Sequence, residues 1–154
     1  MATYRQERNI EASLIDQITE LLENGGWIGF TIVKSLSQAY EKFPAICINV
    51  VEPSFTRKEI GNYEFLKIYT VNIRLFCDND GQRLDLADYL LDELEKGFKY
   101  YEYVIEGGDV SQKLETGRIN INRMRESRKE LRNTENLVKE DKCRHLISFD
   151  VKIS

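Results

Sequence analysis

His145 is the single histidine of this 154-residue chain, so acid–base or nucleophilic chemistry built on imidazole must pass through it. It stands in an alternating run, 143–153, in which Cys143, His145, Ile147, Phe149, Val151 and Ile153 share one face. A Ser-His-Asp or Cys-His arrangement needs companions, and none stands at a recognisable spacing. The expectation is a strand or edge histidine. One histidine also excludes a histidine-rich metal site, though not a carboxylate one. Asp78 and Asp80 begin like a calcium loop, but Gly81 and Gln82 break its spacing and no glutamate stands twelfth. Helix capping accounts for them better, with Asp80 as the N-cap. Neither Gly25-Gly26 nor Gly107-Gly108-Asp109 matches a phosphate-binding glycine pattern. No catalytic, cofactor-binding or metal-ligating residue is assigned, and the expectation is a protein that is not an enzyme.

Charge is patterned more informatively. Arg123, Arg125, Arg128, Lys129 and Arg132 cluster within ten positions, with Glu126 and Glu130 between them. Nucleic acid would favour a single sign and an aromatic stacking surface, and the cluster has neither. Mixed charge suits a protein contact or a solvated loop better. A second polar segment, 54–64, places Arg57, Lys58, Glu59 and Asn62 outside any predicted core. The candidate protein–protein interface is therefore Arg57, Lys58, Glu59 and Asn62 together with Arg125, Arg128, Lys129 and Arg132. Tyr100, Tyr101 and Tyr103 read as core and rim of a strand. Asp85, Asp88, Asp92, Glu93 and Glu95 read as the solvated face of a helix.

The elements that must carry these residues follow from periodicity. Residues 65–77 alternate: Phe65, Tyr69, Val71, Ile73, Leu75 and Cys77 take one face, with Lys67 breaking the row. Together with 143–153 this predicts long strands in a sheet covered chiefly on one side. Ile10, Leu14, Ile18, Leu21 and Leu22 predict a first helix over 10–23, capped by Asn9 or starting earlier at Thr3. Asn24-Gly25-Gly26 stops it. A short strand is expected over 27–33, and 35–43 is left between a helical turn and a loop. A strand over 45–51 opens after Pro44 and ends at Glu52-Pro53, so 54–64 reads as a long loop or projecting hairpin. Leu84, Ala87, Leu91, Leu94 and Phe98, widened by Leu90, predict a second helix. Short strands over 101–106 and 117–124 follow. Residues 125–142 are too poor in apolar side chains to offset an ordering cost of about 1–2 kcal/mol per residue, so they read as a charged loop or extended hairpin, mobile or ordered by a neighbour. The fold class is α+β, a two-layer sandwich with a mixed or largely antiparallel sheet and two main helices on one face.

Composition supports one ordinary globular domain: 42% apolar, 31% charged, net charge −4. No apolar run approaches the roughly 20 residues of a membrane span, and the polar start, with Arg5, Glu7 and Arg8, does not read as a signal peptide. Cys47, Cys77 and Cys143 lie within predicted strands, odd in number and without CxxC spacing. They read as buried, reduced thiols of a protein made in a reducing cytoplasm.

The order of elements resembles the tail terminator proteins of tailed bacteriophages, also called neck or tail-completion proteins, a family that includes the phage lambda tail terminator. The resemblance rests on a leading helix, a Pro-led strand from Pro44 to Val51, a polar loop with glycine and a long strand ending at Phe76-Cys77. A Leu/Ala-rich helix (Asp85-Leu-Ala-Asp-Tyr-Leu-Leu91) and closing strands complete it. It implies a structural virion protein that forms a ring, commonly of six, at the tail–neck junction. Such a ring caps the tail tube, terminates its polymerisation and meets the head connector. The implied partners are other copies of itself, the tail tube protein and a connector or stopper protein, with no membrane and with DNA met only in the ring lumen. Assembly would take place in the host cytoplasm. Two rivals stay open: another connector component (head-completion or stopper protein) or tube or baseplate part, and a small metal-dependent nuclease. The nuclease would need carboxylates and a Glu-x-Lys-like group on adjacent strands, whereas Glu64 and Lys67 have the wrong spacing and 45–51 contains no acid.

Overall fold

A computed structural model describes residues 6–34, 44–57, 65–77, 80–127 and 144–153. The elements run α1 (Gln6–Asn24), β1 (Thr31–Val33), β2 (Ala45–Arg57), β3 (Phe65–Phe76), α2 (Asp80–Leu94), β4 (Phe98–Glu106), β5 (Asp109–Ser127) and β6 (Arg144–Ile153). They form an α+β fold with one mixed, curled sheet of order β1-β2-β3-β6-β5-β4. Only β1 and β2 pair in parallel, and the other four pairings are antiparallel. Both described helices lie on one face of the sheet. Ile10, Leu14 and Ile18 of α1 and Leu86, Leu90 and Leu94 of α2 share a core with the inward rows of β3 and β6.

The alternation read from the sequence holds in β3 and β6: Tyr69, Val71, Ile73, Leu75 and Cys77 are buried, as are His145, Ile147, Phe149 and Val151. Phe76 faces the other way, into a small second cluster with Val33, Ala45 and Cys47. The opposite edge behaves differently from expectation. Only Thr31–Val33 of the 27–33 run is strand, because Trp27 is committed to ending α1. Its N–H donates to the Leu22 carbonyl at 2.9 Å and that of Gly26 to Glu23 at 3.3 Å, the paired bonds of a Schellman cap. Gly26 takes φ +75°, as the expected helix stop requires. Trp27 then packs edge-on against Phe30 and near Tyr89, whose hydroxyl donates to the Leu21 carbonyl at 2.7 Å and ties α2 to the end of α1.

Several boundaries are corrected. β2 does not end at Pro53 but runs on to Arg57, opposite Phe65, so the projecting-hairpin reading of 54–64 is the one realised at its ends. The register jumps between Val51 and Ser54, so Glu52 and Pro53 together oppose one residue of β3. A bulge there spares the ladder bond that proline cannot make. β4 begins at Phe98 and β5 spans Asp109–Ser127, both longer than expected, joined through the two-residue turn Gly107-Gly108. α2 starts at Asp80 itself, one residue before a capping role would place it, and stops at Leu94. Phe98 therefore belongs to β4. Gly97 makes that turn: it has φ +74°, and a Cβ would lie 2.6 Å from the Ile119 carbonyl oxygen.

The inward face of α2 is also rotated from the predicted stripe. Arg83, Leu86, Ala87, Leu90 and Leu94 are buried, whereas Leu84 is 40% exposed and Leu91 half-buried. The cause is polar. Arg83, buried, places Nη1 2.9 Å from Nδ1 of the buried His145 on β6. A guanidinium only donates, so Nδ1 accepts and the imidazole proton sits on Nε2. His145 is thus a core histidine holding helix to sheet. Residues 35–43 lie outside the described residues.

Candidate interaction surface

Among the described residues no helix lies on the sheet face opposite α1 and α2; Val33, Ala45, Cys47 and Phe76 are buried at one end of it, and across β3 and β6 its side chains form a polar lattice set by register. β3 contributes Thr70, Asn72 and Arg74, which stand opposite Asp150, Ser148 and Leu146 of β6. Thr70 Oγ1 donates to Asp150 Oδ1 at 3.0 Å, and the Ser148 hydroxyl donates to Asn72 Oδ1. On β2, Asn49 stands beside Asn72 and donates through Nδ2 to Cys47 Sγ at 3.6 Å. Burial raises the Cys47 thiol pKa above its ordinary value, opposed by that amide and by the Arg74 charge. Cys47 and Cys77 are buried, as expected for core thiols, and neither is in a disulfide, while Cys143 lies outside the described residues.

Arg125 reaches this face through a bulge. The register of β5 on β6 shifts between Asn122 and Arg125, so residues 123 and 124 oppose one residue of β6. Met124 then packs toward the core, and Arg125 turns outward to sit 3.6 Å from Asp150 Oδ1. Arg125 is the one residue of the predicted interface whose side chain can be followed. Arg57 closes β2 at the base of the hairpin. Lys58, Glu59, Asn62, Arg128, Lys129 and Arg132 lie outside the described residues, as does 128–142 of the charged segment.

The free edge at β4 is covered by α1 in a way that sequence reasoning missed. Asn9 is no N-cap: it lies inside α1, buried, with Ser13 one turn later. The Tyr101 N–H donates to Ser13 Oγ at 3.0 Å, and the Tyr103 N–H to Asn9 Oδ1 at 3.4 Å. Asn9 Nδ2 also donates to the Tyr100 hydroxyl at 3.2 Å. Farther along, Tyr103 donates to Asp16 Oδ2 at 2.6 Å, and Lys113 approaches the same oxygen at 3.3 Å. Desolvation first, and the Asp16 hydrogen bond next, push the Tyr103 phenol pKa far above its ordinary value. Short polar side chains of α1 thus satisfy outward N–H groups that an edge strand otherwise offers to another chain. A signal existed: Asn9, Ser13 and Asp16 are weak helix formers spaced four and three apart beside Ile10 and Leu14.

Two clefts flank this clamp. A polar one of about 460 Å³ lies between Asp16 and Glu20 of α1 and Lys99, Lys113 and Arg118 of the β4–β5 hairpin. A more apolar one of about 430 Å³ is lined by Ile15, Leu22, Trp27, Phe30 and Ile32. Among the described residues, no group of three His, Cys, Asp or Glu side chains is placed to hold a metal ion. No helix among them is long and apolar enough to cross a membrane. No family model matches this chain, and no curated protein matches it either.

Proposed function

We propose that this chain is a ring-forming structural protein of a phage tail, a tail terminator that caps the tail tube and presents a surface to the head connector. The observation that carries the reading is the sheet face opposite α1 and α2, on which no helix lies among the described residues. Its β3–β6 part is half-buried and hydrogen-bonded within itself through Thr70–Asp150 and Asn72–Ser148, while the opposite face carries the main core. Such a face suits a subunit whose neighbours complete it. The order helix, strands, hairpin, long strand, helix, closing strands also agrees with the resemblance drawn from the sequence. The β2–β3 hairpin beyond Arg57 and Phe65 would reach the tube, and the ring would number about six copies.

The test is to polymerise the tail tube protein with and without this chain. The expected result is tubes of narrowed length, each capped at one end. Reversing Arg57 and Lys58 should weaken capping while leaving the thermal midpoint nearly unchanged, because the sequence places both outside any predicted core and surface charge pairs contribute only roughly 0–1 kcal/mol. Tubes of unchanged length with no cap would refute the reading.

A further inference from the structure

We infer that two copies of this chain pair through the β4–β5 hairpin, antiparallel about a two-fold axis at Leu114, so that β5 of each copy extends the sheet of the other. This goes beyond the ring-forming reading and does not depend on it. The hairpin outruns the sheet. β5 meets β6 only from Ile119, opposite Ile153, onward, so no strand among the described residues pairs with its outer edge between Asp109 and Arg118. Gln112, Lys113, Leu114, Glu115 and Thr116 are all exposed, Leu114 at 43%. Register shifts against β4 make Ser111 and Thr116 extra residues of β5, and such bulges bend and twist a ribbon. Tyr103 and Lys113 both meet Asp16 of α1, so the hairpin curls toward the helix side.

Hydrogen bonding on the far side of β4 shows what the edge of β5 offers. The Tyr101 and Tyr103 N–H groups donate to Ser13 and Asn9 of α1, so they point away from β5. The residues opposite them, Glu115 and Lys113, therefore turn their own N–H and C=O groups to the outer edge. An antiparallel second copy centred on Leu114 brings Lys113 opposite Glu115 twice over. The backbones then exchange four hydrogen bonds, and each pair sets a cation against a carboxylate. Between them the two Leu114 residues form a close pair, with Cα atoms about 4.5 Å apart. A two-fold contact uses the same patch on both copies, and Lys113-Leu114-Glu115 complements itself in this register alone. Centring the pair on Lys113 or Glu115 would set like charges directly opposite. Within one copy Lys113 also reaches Asp16 at 3.3 Å and Glu115 reaches Lys99 at 3.7 Å. These pairs are exposed, and the second copy's charges join the same network. The contact is small, below the about 1,200 Å² at which standard interfaces begin, so the association is weak and depends on concentration.

The experiment uses the full chain carrying Leu114→Cys, mildly oxidised and read on a non-reducing gel. Gln112→Cys and the unaltered chain, which carries the native thiols, are the references. Two copies of residue 114 would lie within the about 4.4–6.8 Å Cα separation of a disulfide, whereas two copies of residue 112 would lie four residues apart along the strand, roughly 13 Å. Leu114→Cys should therefore cross-link at least tenfold more than either reference. In sedimentation velocity over a concentration series, Lys113→Glu and Glu115→Lys should each weaken association at least tenfold. An equal mixture of the two should recover it, because unlike charges then face each other in both pairs. Should either charge variant fail to fold, the cross-linking decides alone. If Leu114→Cys cross-links no better than Gln112→Cys, or if the folded charge variants associate as the unaltered chain does, the pairing is overturned and the ring reading is untouched.

Discussion

Replacing Ser13 by alanine separates two accounts of α1 by the sign of the effect. On a merely solvated helix face the change would stabilise the protein, since alanine exceeds serine in helix propensity by up to about 0.5 kcal/mol. Ser13, however, is 1% exposed, accepts from the Tyr101 N–H at 3.0 Å and lies 3.5 Å from the Tyr101 carbonyl oxygen. Removing its hydroxyl leaves a covered edge N–H of β4 with no acceptor, at a cost of about 1–3 kcal/mol. The loss exceeds the propensity gain, so Ser13→Ala should destabilise by about 1–2 kcal/mol, or roughly 2–8 °C in the thermal midpoint of a domain of this size. Asn9→Ala, which removes bonds to both Tyr103 and Tyr100, should cost at least as much. The control is Thr19→Ala on the same helix. Thr19 is exposed, and its hydroxyl bonds only back to the Ile15 carbonyl at 2.7 Å, so that change should be neutral or slightly stabilising. Urea unfolding of the three variants provides the comparison. A Ser13→Ala protein as stable as Thr19→Ala, or more so, would show that α1 does not clamp the β4 edge.

Other outcomes follow from the same packing. Leu90→Ala should cost about 2–5 kcal/mol and Leu84→Ala less than about 0.5; equal losses in denaturant midpoint would return α2 to the orientation its hydrophobic pattern suggests. A double-mutant cycle of Arg83→Met with His145→Phe should give a coupling of about 1.5–3 kcal/mol, as for a buried bond to a charged donor, and additive effects would remove this bond as the cause of the helix rotation. Burial raises the phenol pKa values of Tyr69, Tyr100 and Tyr103 above the ordinary value near 10. Their contribution should therefore be complete below about pH 10 and decline above it, as the unfolded chain ionises first. Urea midpoints that stay flat from pH 9 to 11 would contradict this, and Tyr103→Phe should flatten the decline.

The parts of the fold legible in the sequence were those governed by one rule at a time. Period-two alternation placed Tyr69, Val71, Ile73 and Leu75 inward because a pleated strand leaves no other arrangement, and Gly25-Gly26 marked the end of α1. Features that depend on a distant partner were not legible. Pro53 reads as a strand end until the neighbouring strand supplies a bulge to hold it, and Arg125 reads as loop until a bulge turns it onto the sheet face opposite the helices. Asn9, Ser13 and Arg83 are polar, and polarity alone does not say whether water or protein satisfies it. Asn9 looked like a cap and Arg83 carried no signal in the hydrophobic pattern, yet both are buried on partners more than sixty residues away. Of the candidate interface, Arg125 takes a place on a defined surface, whereas 58–64 and 128–142 lie outside the described residues.

The central claim is that copies of this chain form a closed ring. Native mass spectrometry of the protein, alone and bound to tail tubes, measures it most directly. The account predicts a single dominant assembly at a fixed multiple of the 18.0 kDa subunit, six being the expected number, with no open-ended ladder of larger species. A subunit that stays single in solution and also sits singly on each tube would contradict it.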